Sequence, residues 1–279
     1  MKPWLTAACL AAAFAAVSPS LTAQWQLQPA AGIPRTPDGK PNLNAPTPRT
    51  ADGKPDLSGV WANPWATAGR GRGAAAPPPK VSLDAIPEAS FGNVGVGFTN
   101  GLPLQPSAAA LVKQRMADNS KDNPDAHCLP MGFMQFHEHP QFRKIIEAPG
   151  MILIIYEANY GLRQIFMDQR SVPKDPEPWW YGYSLGKWDG DTLVVQTTGF
   201  TDDIWLDING NPLTSAGKVT ERFRRPNYGT LEIEVTVDDP KSYTRPWTVK
   251  VSQRIAPDTE LNEFICEDRD APHYVGAKK

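Results

Sequence analysis

Two carboxylates stand where the sequence is otherwise apolar: Glu221 between Val219 and Phe223 in KVTERFRR, and Glu157 after Ile155 in MILIIYE. A carboxyl withdrawn from water ionises less readily, so it can give or take a proton near neutral pH or hold a ligand's hydroxyl. Both are candidate catalytic residues for a lyase, isomerase or hydrolase, with Arg163 and Arg222 close by in sequence. An interior ion pair, for instance Glu221 with Arg163, accounts for the same residues and carries more weight, because structural ion pairs satisfy buried carboxylates equally well.

Gly182-Tyr183-Ser184-Leu185-Gly186 spells the G-x-S-x-G of a serine hydrolase's nucleophile elbow. That elbow needs a helix directly after the serine, and KWDGDTLVVQTTGF supplies a turn and then a strand. Ser184 therefore reads as one residue of a β-hairpin, with Gly182 and Gly186 marking a bend or the close approach of another group. In HCLPMGFMQFHEHP, His137 and His139 would face one way on an extended strand, and His127 or Cys128 could add metal ligands. No third ligand stands at a recognisable spacing, so the stretch reads as a solvent-facing loop, and no metal or other cofactor is expected. DINGNPL imitates a calcium loop but has Pro212 where glycine belongs and Lys218 where the bidentate glutamate belongs.

Aromatics gather at Trp179, Trp180, Tyr181, Tyr183 and Trp188, with Trp205 after TTGF. Most large aromatics fill cores, yet a cluster beside a glycine-broken strand suits the wall of a site for a ring-bearing ligand. Tyr156, Arg163, Trp180, Tyr183, Trp188, Trp205 and Arg222 form the candidate ligand-binding set.

The elements that would position these residues are short strands separated by turns. Strands are expected at 57–61, 142–148, 151–158, 162–168, 181–188, 192–200, 218–225, 230–238, 247–255 and 261–267. In TLEIEVTVDD, Leu231, Ile233, Val235 and Val237 face one way and Glu232, Glu234, Thr236 and Asp238 the other, so one face is buried and one wet. MILIIYE lacks that alternation and should be covered on both faces. Asp189-Gly190 and Asn227-Tyr228-Gly229 supply hairpin turns. The fold class is all-β: an antiparallel meander that closes into a barrel and so removes its edges. One short helix is expected at 107–119, with Ser107 as its N-cap.

Sixteen of the 29 prolines fall by residue 106. Residues 24–56 therefore read as a Pro/Gly-rich arm without a hydrophobic core, contributing little to stability. Within it PRTPDGKPNL (34–43) is echoed by PRTADGKPDL (48–57). The barrel domain follows at 57–279, with a loop and helix insertion at 62–141 that includes the Gly/Ala/Pro run ATAGRGRGAAAPPPK.

Residues 1–23 have the layout of a secretory signal peptide: Lys2, the run LTAACLAAAFAAV, then small residues to Ala23. No later apolar run approaches the roughly 18 residues of a membrane-spanning helix, so no integral membrane segment is expected once the signal is removed. With 28 Lys+Arg interspersed among 30 Asp+Glu there is no basic stripe for nucleic acid. Past the signal only Cys128 and Cys266 remain, an even pair whose expected fate in an oxidising compartment is a disulfide.

ADGKPDLSGVW, CLPMG, GKWDGDTLVVQTTGF, VTERFRRPNYGTLEIEVTVDDPKSYTRPWTV and PDTELNEFICED together resemble a widespread group of exported bacterial proteins, a resemblance that brings no activity with it. More loosely, Gly59-Val60-Trp61 ahead of antiparallel hairpins is similar to the G-x-W first strand of lipocalin-like (calycin) barrels. That resemblance implies a barrel carrying a small hydrophobic ligand. The expected protein is thus a periplasmic or secreted β-barrel whose partner is a small, largely apolar or aromatic molecule. An exported enzyme using the interior carboxylates and an envelope interaction protein docking through its arm are the alternatives.

Overall fold

A computed structural model of the chain describes residues 30–64 and 86–266. The expected signal segment and the whole Gly/Ala/Pro run at 66–80 lie outside the described residues. Nine strands close into a barrel: β1 (Gly59–Ala62), β2 (Arg143–Ala148), β3 (Met151–Tyr156), β4 (Leu162–Phe166), β5 (Tyr183–Asp189), β6 (Thr192–Thr198), β9 (Lys218–Asn227), β10 (Thr230–Asp238) and β11 (Trp247–Ile255). Each is hydrogen-bonded to the next in this order, and β1 joins β11 to close the ring. The excursion between β6 and β9 carries a two-stranded sheet of β7 (Ile204–Trp205) and β8 (Pro212–Leu213).

The expected meander is nearly what forms, with one departure. Around a ring of nine strands, alternating directions cannot return to their start, so at least one pair of neighbours must be parallel. That pair is β4–β5, with Ile165 opposite Ser184. A parallel pair needs a long connection, and residues 167–182, which include Trp179, Trp180 and Tyr181, supply it.

Alternation is clearest in β9, where Val219, Glu221, Phe223 and Arg225 are buried, and in β10, where Leu231, Ile233, Val235 and Val237 are. MILIIY alternates too: Ile152, Ile154 and Tyr156 are buried, whereas Met151, Leu153 and Ile155 are half-covered. Its outer face is only partly sheltered, contrary to the expectation of full cover on both faces. The strand expected at 261–267 does not form over its described residues. β11 already pairs with β10 on one side and β1 on the other, so no edge is free for it. The segment runs outside the barrel instead, held by the Cys128–Cys266 disulfide.

From Pro106 to Glu138 two α-helices stand where a single one is expected. α1 (Pro106–Ala117) starts with Pro106 at its first turn, and Gln105 rather than Ser107 is the N-cap. α2 (Phe133–Glu138) falls where a solvent-facing loop is expected, and all six of its residues are buried. Three of the six, Gln135, His137 and Glu138, are polar, so the sequence carries no apolar stripe that would announce a helix buried on every side.

The arm is docked rather than loose. Its two repeats fold into the same small hairpin: Thr36 N–H and Thr50 N–H donate to the Lys40 and Lys54 carbonyls, at 2.8 and 2.9 Å. Arg35 and Arg49 brace them on the Gly39 and Gly53 carbonyls, at 3.0 and 2.7 Å. Each arginine then reaches a different barrel carboxylate, Asp258 and Asp191 respectively. Between them Leu43 packs at Gly229 and Ala45 is buried, with Tyr228 N–H and Gly229 N–H donating to the Ala45 and Leu43 carbonyls at 2.8 Å each.

Candidate functional site

Inside the barrel, the register of four strands and the insertion of α2 bring charged groups into one knot. Glu221 of β9 is completely buried and accepts from both terminal nitrogens of Arg163 on β4, Nη1 donating to Oε1 at 2.9 Å and Nη2 to Oε2. His137, carried in by α2, bonds the same Oε1 through Nε2 at 2.9 Å. Arg163 also donates to Thr197 Oγ1 at 3.0 Å and Ser184 Oγ at 3.2 Å, two hydroxyls on paired residues of β6 and β5. Phe133 lies beneath its guanidinium at 4.9 Å.

Burial pushes the Glu221 carboxyl upward, but Arg163 and His137 outweigh it and the pKa falls to about 2. The carboxylate is ionised at neutral pH, so His137 Nε2 must carry the proton it donates. Burial lowers the His137 pKa against the pull of Glu221, which keeps the ring neutral. A carboxylate whose oxygens are already occupied by fixed donors is an anchor, poorly suited to moving protons.

Ser184 is a strand residue, fully buried and bonded to Arg163 and Thr197. The glycines around it have separate causes. Gly182 has φ +62°, and a Cβ there would stand 2.6 Å from Phe200 and Thr197 atoms; at Gly186 a Cβ would meet the Met167 sulfur at 2.4 Å.

Arg143, which sequence reasoning missed, opens β2 opposite Tyr156 and is buried. Its guanidinium donates to the carbonyls of His137, His139 (3.0 Å) and Gln141 (3.2 Å), tying down the end of α2 where helix carbonyls point. Beside it burial raises Glu138 to about 8, and burial together with Arg143 lowers His139 to about 4. Burial also raises the Tyr156 hydroxyl to about 12, against the pull of Arg163. The other candidate acid, Glu157, stands outside this knot and accepts from Asn262 N–H at 2.9 Å.

The histidines do not line up on a strand. His137 is on α2, His139 caps it against Phe91, and His127 bonds the Lys121 carbonyl at 2.9 Å. Cys128 is committed to its disulfide. Among the described residues no group of three or more His, Cys, Asp or Glu side chains is placed to hold a metal. Asp207, the head of the calcium-like run, instead accepts from Val94 N–H and Asn211 at 2.9 and 2.6 Å.

Phe133, Met134 and Phe136 fill the space beside the knot, Phe136 stacking on Tyr156 at 4.3 Å. The aromatic candidates are divided among other places. Tyr183 packs on the outer surface against Phe166 and Trp179, and Arg222 points outward to Asp189, on the face opposite Glu221. Trp188 lies in a cleft of about 510 Å³ with Glu147, Ile152 and Met167.

Trp180 and Trp205 both line a cleft of about 370 Å³. Leu111, Gln114, Arg115 and Asp118 of α1 and its C-cap form one wall; Asp122, Pro124 and Leu129 continue it, and Asp203 precedes Trp205 on the other side. Arg115 stacks over Trp205 at 4.3 Å and donates to the Gly210 carbonyl at 2.7 Å, fixing helix to loop. Burial lowers the Arg115 pKa, opposed by Asp203 and Asp122. Leu111, Arg115 and Asp118 share one face of α1 at helical spacing, but only the fold sets that face beside the two tryptophans. No family model, curated protein or solved structure matches the chain.

Proposed function

We propose that this protein is a periplasmic or secreted binding protein that holds a small, largely apolar or aromatic molecule in the Trp180–Trp205 cleft. The observation that carries the reading is that two indoles line, with Leu111, Pro124 and Leu129, one concave space of about 370 Å³. That volume lies in the range of small-molecule sites, while the barrel interior is taken up by α2 and the Glu221 knot. Export is supported by the leader-like first 23 residues, by the resemblance to exported bacterial proteins, and by a disulfide of the kind that persists in oxidising compartments. Among the described residues no helix is long and apolar enough to cross a membrane.

The enzymatic reading has less support. Glu221 is held ionised in a closed network and Glu157 lies apart from it. Native mass spectrometry of the full mature protein tests the binding reading. A retained molecule of a few hundred daltons that is lost in Trp180→Ala is the expected result; an adduct that survives this change puts the ligand elsewhere.

A further inference from the structure

The side chains lining the same cleft restrict the chemistry of its occupant, a restriction that rests on the binding reading. Its apolar surface comes from two indoles and three aliphatic side chains, but its polar surface has one dominant sign. Asp118, Asp122 and Asp203 line it against a single cation, Arg115. None of the three carboxylates forms an ion pair with another described residue. Arg115 is itself committed, with Nη1 on the Gly210 carbonyl and its plane over Trp205. Its stacking at 4.3 Å shows that this indole face accepts a planar cation. Trp180, only partly buried, has no cation over its ring among the described residues.

We infer that the cleft selects an amphipathic organic cation, an ammonium group on an aromatic or branched apolar body, the body packing between Trp180 and the leucines and the charge facing the three aspartates. An anion of the same shape would meet a net surplus of two negative charges among the lining residues, counting three carboxylates against one guanidinium. A neutral molecule would gain the apolar contacts alone. Cation–π attraction and the local field both favour the ammonium, and both weaken as salt is added.

The test is calorimetric titration of the full mature protein with three probes of matched size: 2-phenylethylammonium, 2-phenylethanol and 3-phenylpropionate. The ammonium should bind about tenfold more tightly than the alcohol, and the carboxylate more weakly than either. In Asp118→Asn/Asp122→Asn/Asp203→Asn the ammonium's advantage should vanish while the alcohol's affinity stays unchanged. These are exposed positions, so loss of fold is not expected. Equal affinity for ammonium and alcohol in the unmodified protein, both lost in Trp180→Ala, overturns the charge selection and leaves the binding reading standing. Binding of all three probes that is indifferent to Trp180→Ala overturns both.

Discussion

Arg163 and Glu221 meet in the barrel as a doubly hydrogen-bonded ion pair, one from β4 and one from β9, with neither side chain exposed to solvent. Two strands, β5 and β6, lie between them in the ring. The pair therefore ties together parts of the barrel that backbone pairing alone does not join, and His137 ties α2 to the same carboxylate.

Removing one partner leaves the other buried without compensation. Glu221→Gln should cost about 3–5 kcal/mol in urea unfolding, and Glu221→Gln with Arg163→Met should recover part of that loss. If Glu221→Gln unfolds at the wild-type midpoint, the pair does not stabilise the barrel.

The pH dependence has a definite sign on each side. Glu138 holds its proton to about 8 in the fold, against 4.5 when unfolded. The stability it contributes is complete below 4.5 and is lost as pH rises toward 8. Glu221 behaves oppositely, its contribution being complete above 4.5 and lost as pH falls toward 2. Thermal unfolding of Glu138→Gln at pH 5 and pH 8 should show a smaller drop between the two than wild type. An unchanged drop would remove Glu138 as its cause.

The disulfide closes a sequence separation of 138 residues and joins the segment ahead of α2 to the chain beyond β11. Chain-entropy reasoning assigns such a closure about 5 kcal/mol, less any native strain. Reduction, or Cys128→Ser with Cys266→Ser, should lower the urea midpoint by a corresponding amount. Indifference to reductant would show that the bridge adds nothing.

The arm's seat depends on Gly229, where an added Cβ would stand 2.6 Å from the Leu43 Cβ and 2.7 Å from the Leu43 carbonyl oxygen. Gly229→Val should displace the arm and expose residues 30–56 to limited proteolysis, whereas wild type should resist cleavage there. Equal cleavage in both would contradict docking through Leu43.

What was legible in the sequence came from local periodicity. TLEIEVTVDD and KVTERFRR each bury one face and wet the other, so their strands, hairpins and the inward register of Glu221 could be read directly. The ion pair with Arg163 was also anticipated from an arginine near an apolar-faced carboxylate. α2 was not legible, since six residues buried on every side have no polar stripe to set a helical period, and His137 and Glu138 within it mimic a wet loop. Arg143 was missed because its partners are carbonyls of a turn that only the fold supplies. The aromatic run was visible, but the chain divides it: Trp180 and Trp205 share a cleft, whereas Tyr183 and Trp188 do not join them. That division arises from the long crossover of the parallel β4–β5 pair, which no local pattern announces.

Occupation of the Trp180–Trp205 cleft by a small aromatic molecule can be followed at the indole N–H resonances of the tryptophans, recorded by NMR as benzyl alcohol is added to the mature protein. The resonances of Trp180 and Trp205 should shift together along one saturating curve, while those of Trp61, Trp188 and Trp247 stay in place. Saturable shifts at Trp188 with Trp180 and Trp205 unmoved, or no saturable shift at any indole, would contradict the account.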